Sequence, residues 1–161
     1  MQYRTVRNRY VLRKTGSKRM TEVNGYYLED LEIGQSASFG KTITEADVVM
    51  FAGVSGDINP IHINDDYAKK TMFHGRIAHG ILTAGVLSAV IGTRLPGPGS
   101  IYLSQELKFK APVRIGDTVQ AKVTVNEILL EKKQVVLNCV CTVGKTTVIE
   151  GEAHIMVPHR P

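Results

Sequence analysis

The stretch from Ile81 to Leu95 constrains this chain more than any other. It reads I-L-T-A-G-V-L-S-A-V-I-G-T-R-L and carries no Asp or Glu. Its apolar residues run round every side of a helix instead of forming one stripe, the pattern of a helix buried on most sides. Ala84, Gly85, Ser88, Ala89 and Gly92 keep it slim, so surrounding backbone can approach closely. It does not read as a membrane span, which needs roughly 18 or more uninterrupted apolar residues. The longest candidate, Ile77 to Leu95, is broken by His79, Gly80, Thr83, Gly85, Ser88, Gly92, Thr93 and Arg94. The rest of the chain must therefore wrap this helix, and 161 residues suffice for one domain with a real core.

The wrapping material follows at once. Pro96-Gly97-Pro98-Gly99 ends the helix, and from Ser100 the period changes to two. Strands are expected at Ser100 to Lys110, Thr118 to Leu130, Gln134 to Val143 and Thr146 to Val157, with turns at Ile115-Gly116-Asp117, Glu131-Lys132-Lys133 and Gly144-Lys145. Val119, Ala121, Val123 and Val125 share one face, as do Val135, Leu137, Cys139, Cys141 and Val143. Two cysteines two residues apart on a strand do not suit a disulfide, and no other Cys exists; they read as small buried side chains in a reducing compartment. The expected class is α+β, an antiparallel sheet wrapped around a central buried helix.

Ahead of the helix, Gln35 to Ile43 holds a short strand pattern. Thr44 then suits a helix N-cap, with Glu45 and Asp47 in the first turn and Gly56 as the stop. Val48, Val49, Phe51, Ala52 and Val54 supply its apolar side. Asp65 to Thr71 reads as a short helix with Tyr67 and Ala68 inward, and Met72 to Ala78 as a loop.

The formal charge of +5 misleads. Residues 1–19 hold seven basic groups and no acid. Removing those seven from the 20 leaves 13 against 15 acids, so residues 20–161 carry −2. The body is not basic, and a nucleic-acid partner is not expected. Residues 1–24 read as a basic N-terminal extension and 25–161 as the functional domain. The extension has three functional readings, an organellar targeting segment, a stretch upstream of a start at Met20, or an arm for an acidic partner, beside the plainer one of a poorly ordered extension without a role in the chemistry. The expected location is cytoplasmic, or mitochondrial if the extension is a targeting segment.

The helix stop at Gly56 delivers the chain into Asp57, and within six residues stand Asp57, Asn59, Pro60 and His62. A carboxylate and an imidazole can trade protons near neutral pH, and Pro60 stiffens the path between them. Asn59 can pin the loop or orient His62, and Pro60 holds it extended. Asp57, His62, His74 and His79 match no common zinc spacing, so no metal is expected. Gly144-Lys145-Thr146 lacks the glycine of a phosphate-binding loop, since Cys139 stands there, and Gly97-Pro98-Gly99 lacks a dinucleotide pattern.

Four segments, S-G-D-I-N-P-I-H at 55–62, G-R-I-A-H-G at 75–80, L-P-G-P-G-S-I-Y-L-S-Q at 95–105 and F-K-A-P-V-R-I-G-D at 109–117, resemble the MaoC-like (R)-specific enoyl-CoA hydratases and type 2 hydroxyacyl-thioester dehydratases. The resemblance covers most of residues 26–157 and implies a hot-dog fold. It implies an (R)-specific enoyl-thioester hydratase that adds water syn to a trans-2-enoyl thioester and runs the reverse dehydration. Asp57 and His62 would be the catalytic pair. Gly80 would offer its backbone N–H to the enolate-like thioester oxygen, where a helix start favours negative charge; otherwise it merely eases a tight turn. His79 and Asn59 would be supporting residues. No cofactor is implied beyond the carrier thiol, coenzyme A or acyl carrier protein, and the family pattern implies a homodimer. Two rivals stand beside this reading: a hot-dog acyl-thioester hydrolase, which would want a carboxylate on the buried helix, and a non-catalytic acyl-thioester-binding module, which would not need both Asp57 and His62.

Overall fold

The structure, a computed structural model, describes residues 25–160. The basic extension at 1–24 lies outside the described residues. Strand β1 (Ser36–Thr42) leads into helix α1 (Glu45–Ser55), two short helices α2 (Pro60–Ile63) and α3 (Asp65–Ala68), and the long helix α4 (Gly80–Thr93). Four strands follow: β2 (Ile101–Phe109), β3 (Thr118–Leu129), β4 (Gln134–Val143) and β5 (Thr146–Met156). All neighbours are antiparallel, in the order β1-β3-β4-β5-β2. The sheet wraps α4, which is the hot-dog layout.

The core follows from the alternation. Val119, Ala121, Val123 and Val125 of β3 and Val135, Leu137, Cys139 and Cys141 of β4 are all buried, and they meet Val86, Leu87, Val90 and Ile91 of α4. Each such aliphatic side chain contributes about 1.5–3 kcal/mol on leaving water. Shifts of register between Val125 and Glu127 on β3 and between Cys141 and Thr142 on β4 let the sheet curl. Burial lifts the Cys139 and Cys141 thiols to about 11 and about 12.

Helix α1 has the expected brackets. The Asp47 N–H donates to Thr44 Oγ1 at 3.3 Å, and the Asp47 carboxylate accepts from the Thr44 N–H at 2.8 Å. Those bonds from Thr44, reinforced by Lys41, hold the Asp47 carboxyl down to about 2. Gly56 ends the helix in the left-handed region, φ 76°.

Three expectations about burial need correction. On α1 only Val48 and Ala52 are buried, while Val49 and Val54 face outward, because little of the fold lies over that side. Tyr67 is exposed on α3, a helix that ends at Ala68 and turns only Ala68 inward. Helix α4 is covered on one side only. Ile81, Gly85, Ser88 and Gly92 are exposed, since a single sheet from one chain reaches round just one face. Edge strand β2 is likewise open, with Ile101, Tyr102, Leu103 and Phe109 each at least 39% exposed.

Candidate active site

The segment between α1 and α4 is built almost wholly from short-range polar contacts. Ser55 Oγ donates to the Phe51 carbonyl at 2.6 Å and accepts from the Asp57 N–H at 3.1 Å, so it fixes where the chain leaves α1. Asp57 Oδ1 accepts from the Asn59 N–H at 3.3 Å. Asn59 Oδ1 accepts from the Ile61 N–H at 3.2 Å and so caps α2, with Pro60 at its first position. Asn59 is thus a loop pin; its side chain makes no bond to His62 among the described residues.

His62 is 8% exposed, and its Nδ1 lies 2.8 Å from the Ile77 carbonyl oxygen. A carbonyl only accepts, so Nδ1 carries the hydrogen and Nε2 keeps a lone pair. Ile77 is itself tied to α2, its N–H reaching the Ile61 carbonyl at 3.4 Å, while the Ala78 N–H bonds to Val113. Arg76 clamps this loop from outside. It grips both oxygens of Glu45 at 2.8 and 2.7 Å and Asp65 at 3.0 Å, which joins the start of α1 to α3.

Gly80 is the first residue of α4, and its N–H has no partner among the described residues, as expected of a helix start. It lines a cavity of about 580 Å³ together with Asp57, His62 and His79. Phe51, Phe73, Ile81 and Phe109 supply apolar wall, a suitable home for an acyl chain beside a polar end. Phe109 reaches in from β2 and rests on Gly80: a Cβ there would stand 2.7 Å from Phe109 Cε1, so a larger residue would push that ring aside.

Asp57, His62 and His79 come together, with one donor atom from each lying within 4.8 Å of the others. Each imidazole gives its other nitrogen to a backbone carbonyl, which also occurs around metal ions. The His62 and His79 rings are close and tilted, with centroids 3.8 Å apart and planes 32° from parallel. His74 is exposed in its loop at φ 52°, and His154 sits on β5 against Glu152; neither reaches the cluster.

Comparison with known proteins places this geometry. The MaoC like domain matches residues 30–150. The chain belongs to the MaoC-like family. It is 62% identical over 135 residues to an (R)-specific enoyl-CoA hydratase of Rhodospirillum rubrum, covering 84% of this chain and 94% of that one. It is 50% identical over 141 residues to a 3-hydroxybutyryl-CoA dehydratase of Methylorubrum extorquens, covering 88% and 90%. Among solved structures, the unliganded R-hydratase PhaJ1 from Pseudomonas aeruginosa superposes with a TM-score of 0.80 at 42% identity, over 84% of this chain and 88% of that one.

Within this MaoC-like chain the residues singled out by sequence, Asp57, Asn59, His62, His79 and Gly80, all fall in or beside one cavity. Sequence reasoning missed Ser55, Arg76 and Phe109. Each lay inside a recognised motif; the contacts of Arg76 and Phe109 cross between elements that only the fold brings together, whereas Ser55 acts locally at the end of α1.

Proposed function

We propose that this protein is an (R)-specific enoyl-thioester hydratase, adding water syn to trans-2-enoyl-CoA to give the (R)-3-hydroxyacyl product and catalysing the reverse dehydration. The observation that carries the reading is a cavity presenting the Asp57 carboxylate, the Nε2 of His62 and the Gly80 N–H, the last two without a hydrogen-bond partner among the described residues. A water held between Asp57 and His62 gives a proton to Nε2 as its oxygen bonds to C3. The electron pair of the double bond moves onto the thioester oxygen, where the Gly80 N–H receives the charge. The proton then passes to C2 on the same face, and the pair is restored. Asp57 orients the water and balances the transient imidazolium. No cofactor takes part beyond the carrier thiol, and both coenzyme A and acyl carrier protein thioesters are candidate substrates. The catalytic unit is residues 25–161.

The partner we propose is a second copy. Among the described residues, edge strand β2 has no neighbour on its outer side, and the open face of α4 carries Gly85, Ser88 and Gly92. Small residues on a helix allow another backbone close, and an uncovered apolar edge favours pairing. No helix of the described residues is long and apolar enough to cross a membrane. A cytoplasmic site of action fits the two free thiols, and a mitochondrial one would follow from a targeting role for the basic extension.

A hydrolase would attack the carbonyl from a carboxylate on α4, and Gly80–Thr93 has none. Crotonyl-CoA separates the readings. Loss of enoyl absorbance without free thiol is the expected result; thiol release would favour the hydrolase, and no change would favour a binding module.

A further inference from the structure

His79 is 1% exposed and has two rings against it, with centroids 4.8 Å away for Phe51 and 3.8 Å away for His62. Its Nε2 stands 2.9 Å from the backbone oxygen of Asp57, and its Nδ1 is buried with no partner among the described residues. We propose, building on the hydratase reading, that His79 is a positioning residue: a neutral imidazole whose N–H fixes the Asp57 backbone and whose face is the platform on which His62 gains and returns its proton.

The tautomer follows from the acceptors. A carbonyl oxygen can only accept, so His79 carries its hydrogen on Nε2, whereas His62 carries its own on Nδ1. The two adjacent rings are thus locked in opposite tautomers by carbonyls of the same loop system. The arrangement has two consequences. Asp57 is an exposed residue at the end of a helix, and the His79 bond holds its carbonyl from the far side while Ser55 holds its N–H. The position of the carboxylate relative to His62 is therefore set by the very ring His62 rests on. Secondly, a second proton on His79 would bury an N–H with no acceptor against His62, a costly state. A neutral face beneath His62 instead attracts the cation formed when His62 takes a proton.

The surroundings add little competing charge. Phe51 and Ser55 face the pair from α1, and the Thr83 hydroxyl from α4 donates to the His79 carbonyl at 3.3 Å. Lys110 also lines the cavity but is paired with Glu150 at 3.1 Å, and Arg76 is occupied by Glu45 and Asp65. Asp57 is the charged group within the cluster itself.

Three variants of the full chain separate the two duties. His79→Phe keeps a ring and loses the donor. His79→Gln keeps a donor at the Nε2 position and loses the ring. His79→Ala loses both. With crotonyl-CoA, Phe and Ala should lower kcat roughly tenfold to a hundredfold with KM within about twofold, the scale of a misplaced catalytic group. Gln should recover most of kcat yet change the shape of the pH profile, because the ring beside His62 is gone. Nitrogen-15 spectra of the wild-type imidazoles should report Nε2–H for His79 and Nδ1–H for His62, whatever the activity. Equal kcat in all variants, losses that merely track the folded fraction, or one shared tautomer would overturn the proposal. Wild-type protein that hydrates no enoyl thioester would remove the hydratase reading and this role with it, whereas active wild type with unaffected variants removes only the role of His79.

Discussion

The site segment 55–80 and the β3–β4 hairpin are specified by different forces. In the hairpin, alternate side chains from Val119 to Val125 and from Leu137 to Cys141 are buried, and the partners are far apart in sequence: Val123 lies opposite Cys139 and Ala121 opposite Cys141. Area removed from water decides the arrangement, and individual side chains are interchangeable within limits of volume. In the site segment few residues are buried, and order comes from directed bonds to backbone groups: Ser55 to Asp57, Asn59 to Ile61, His62 to Ile77, His79 to Asp57. Directed bonds fix position closely but add little stability each, about 0.5–1.5 kcal/mol net. The contrast teaches that turnover and stability should be separable by region.

The hardest test of that separation is at the catalytic pair. Asp57→Asn and His62→Gln should each lower kcat by at least about a hundredfold. The thermal midpoint should stay near wild type. Either variant retaining near-normal turnover would break the two-residue mechanism, and collapse of the fold would break the contrast between regions. The complementary test is Ile155→Val in the core, where the side chain is 0% exposed. Removing one methylene should cost about 0.5–1.5 kcal/mol in denaturant unfolding. Turnover per folded molecule should be unchanged; a change in kcat without a change in stability would mean that the core reaches into the site.

A smaller effect is expected at the entrance to α1, which lies between the two regions. Asp47 titrates at about 2 in the folded chain, below its ordinary value of 3.8, so it contributes stability that is complete above pH 4 and is lost as the pH falls through about 2. Asp47→Asn should therefore be less stable than wild type at pH 5, and the gap should close by about pH 2. A gap that stayed constant across this range would assign the Asp47 contribution to packing instead of charge.

Much of this was legible in the sequence, for reasons that differ by element. Thr44 and Gly56 bracket α1 because capping chemistry is local. The alternation in β3 and β4 gives their inward faces because a pleat has a period of two. Asp57, His62 and Gly80 were found by motif, and they do share a cavity. The outward turn of Val49, Val54 and Tyr67 was not legible, since nothing in an apolar residue's neighbours says whether a second layer will reach it. The open side of α4 was hidden for the same reason: an all-round apolar helix states a need for cover, not whether its own chain supplies it. The tautomers of His62 and His79 depend on the carbonyls of Ile77 and Asp57, and every residue has a carbonyl, so no letter marks the ones that matter. The place of β2 beside β5 at the sheet edge is a property of topology that periodicity does not carry.

Phe109 ties two of these features together. Its ring packs beside the Gly80 Cα from a strand whose outer edge has no partner among the described residues. If a second chain docks along β2, the strand it stiffens is the strand that seats this ring. Catalytic competence then becomes a function of protein concentration, strongest where the chain is abundant and fading on dilution as the seam opens.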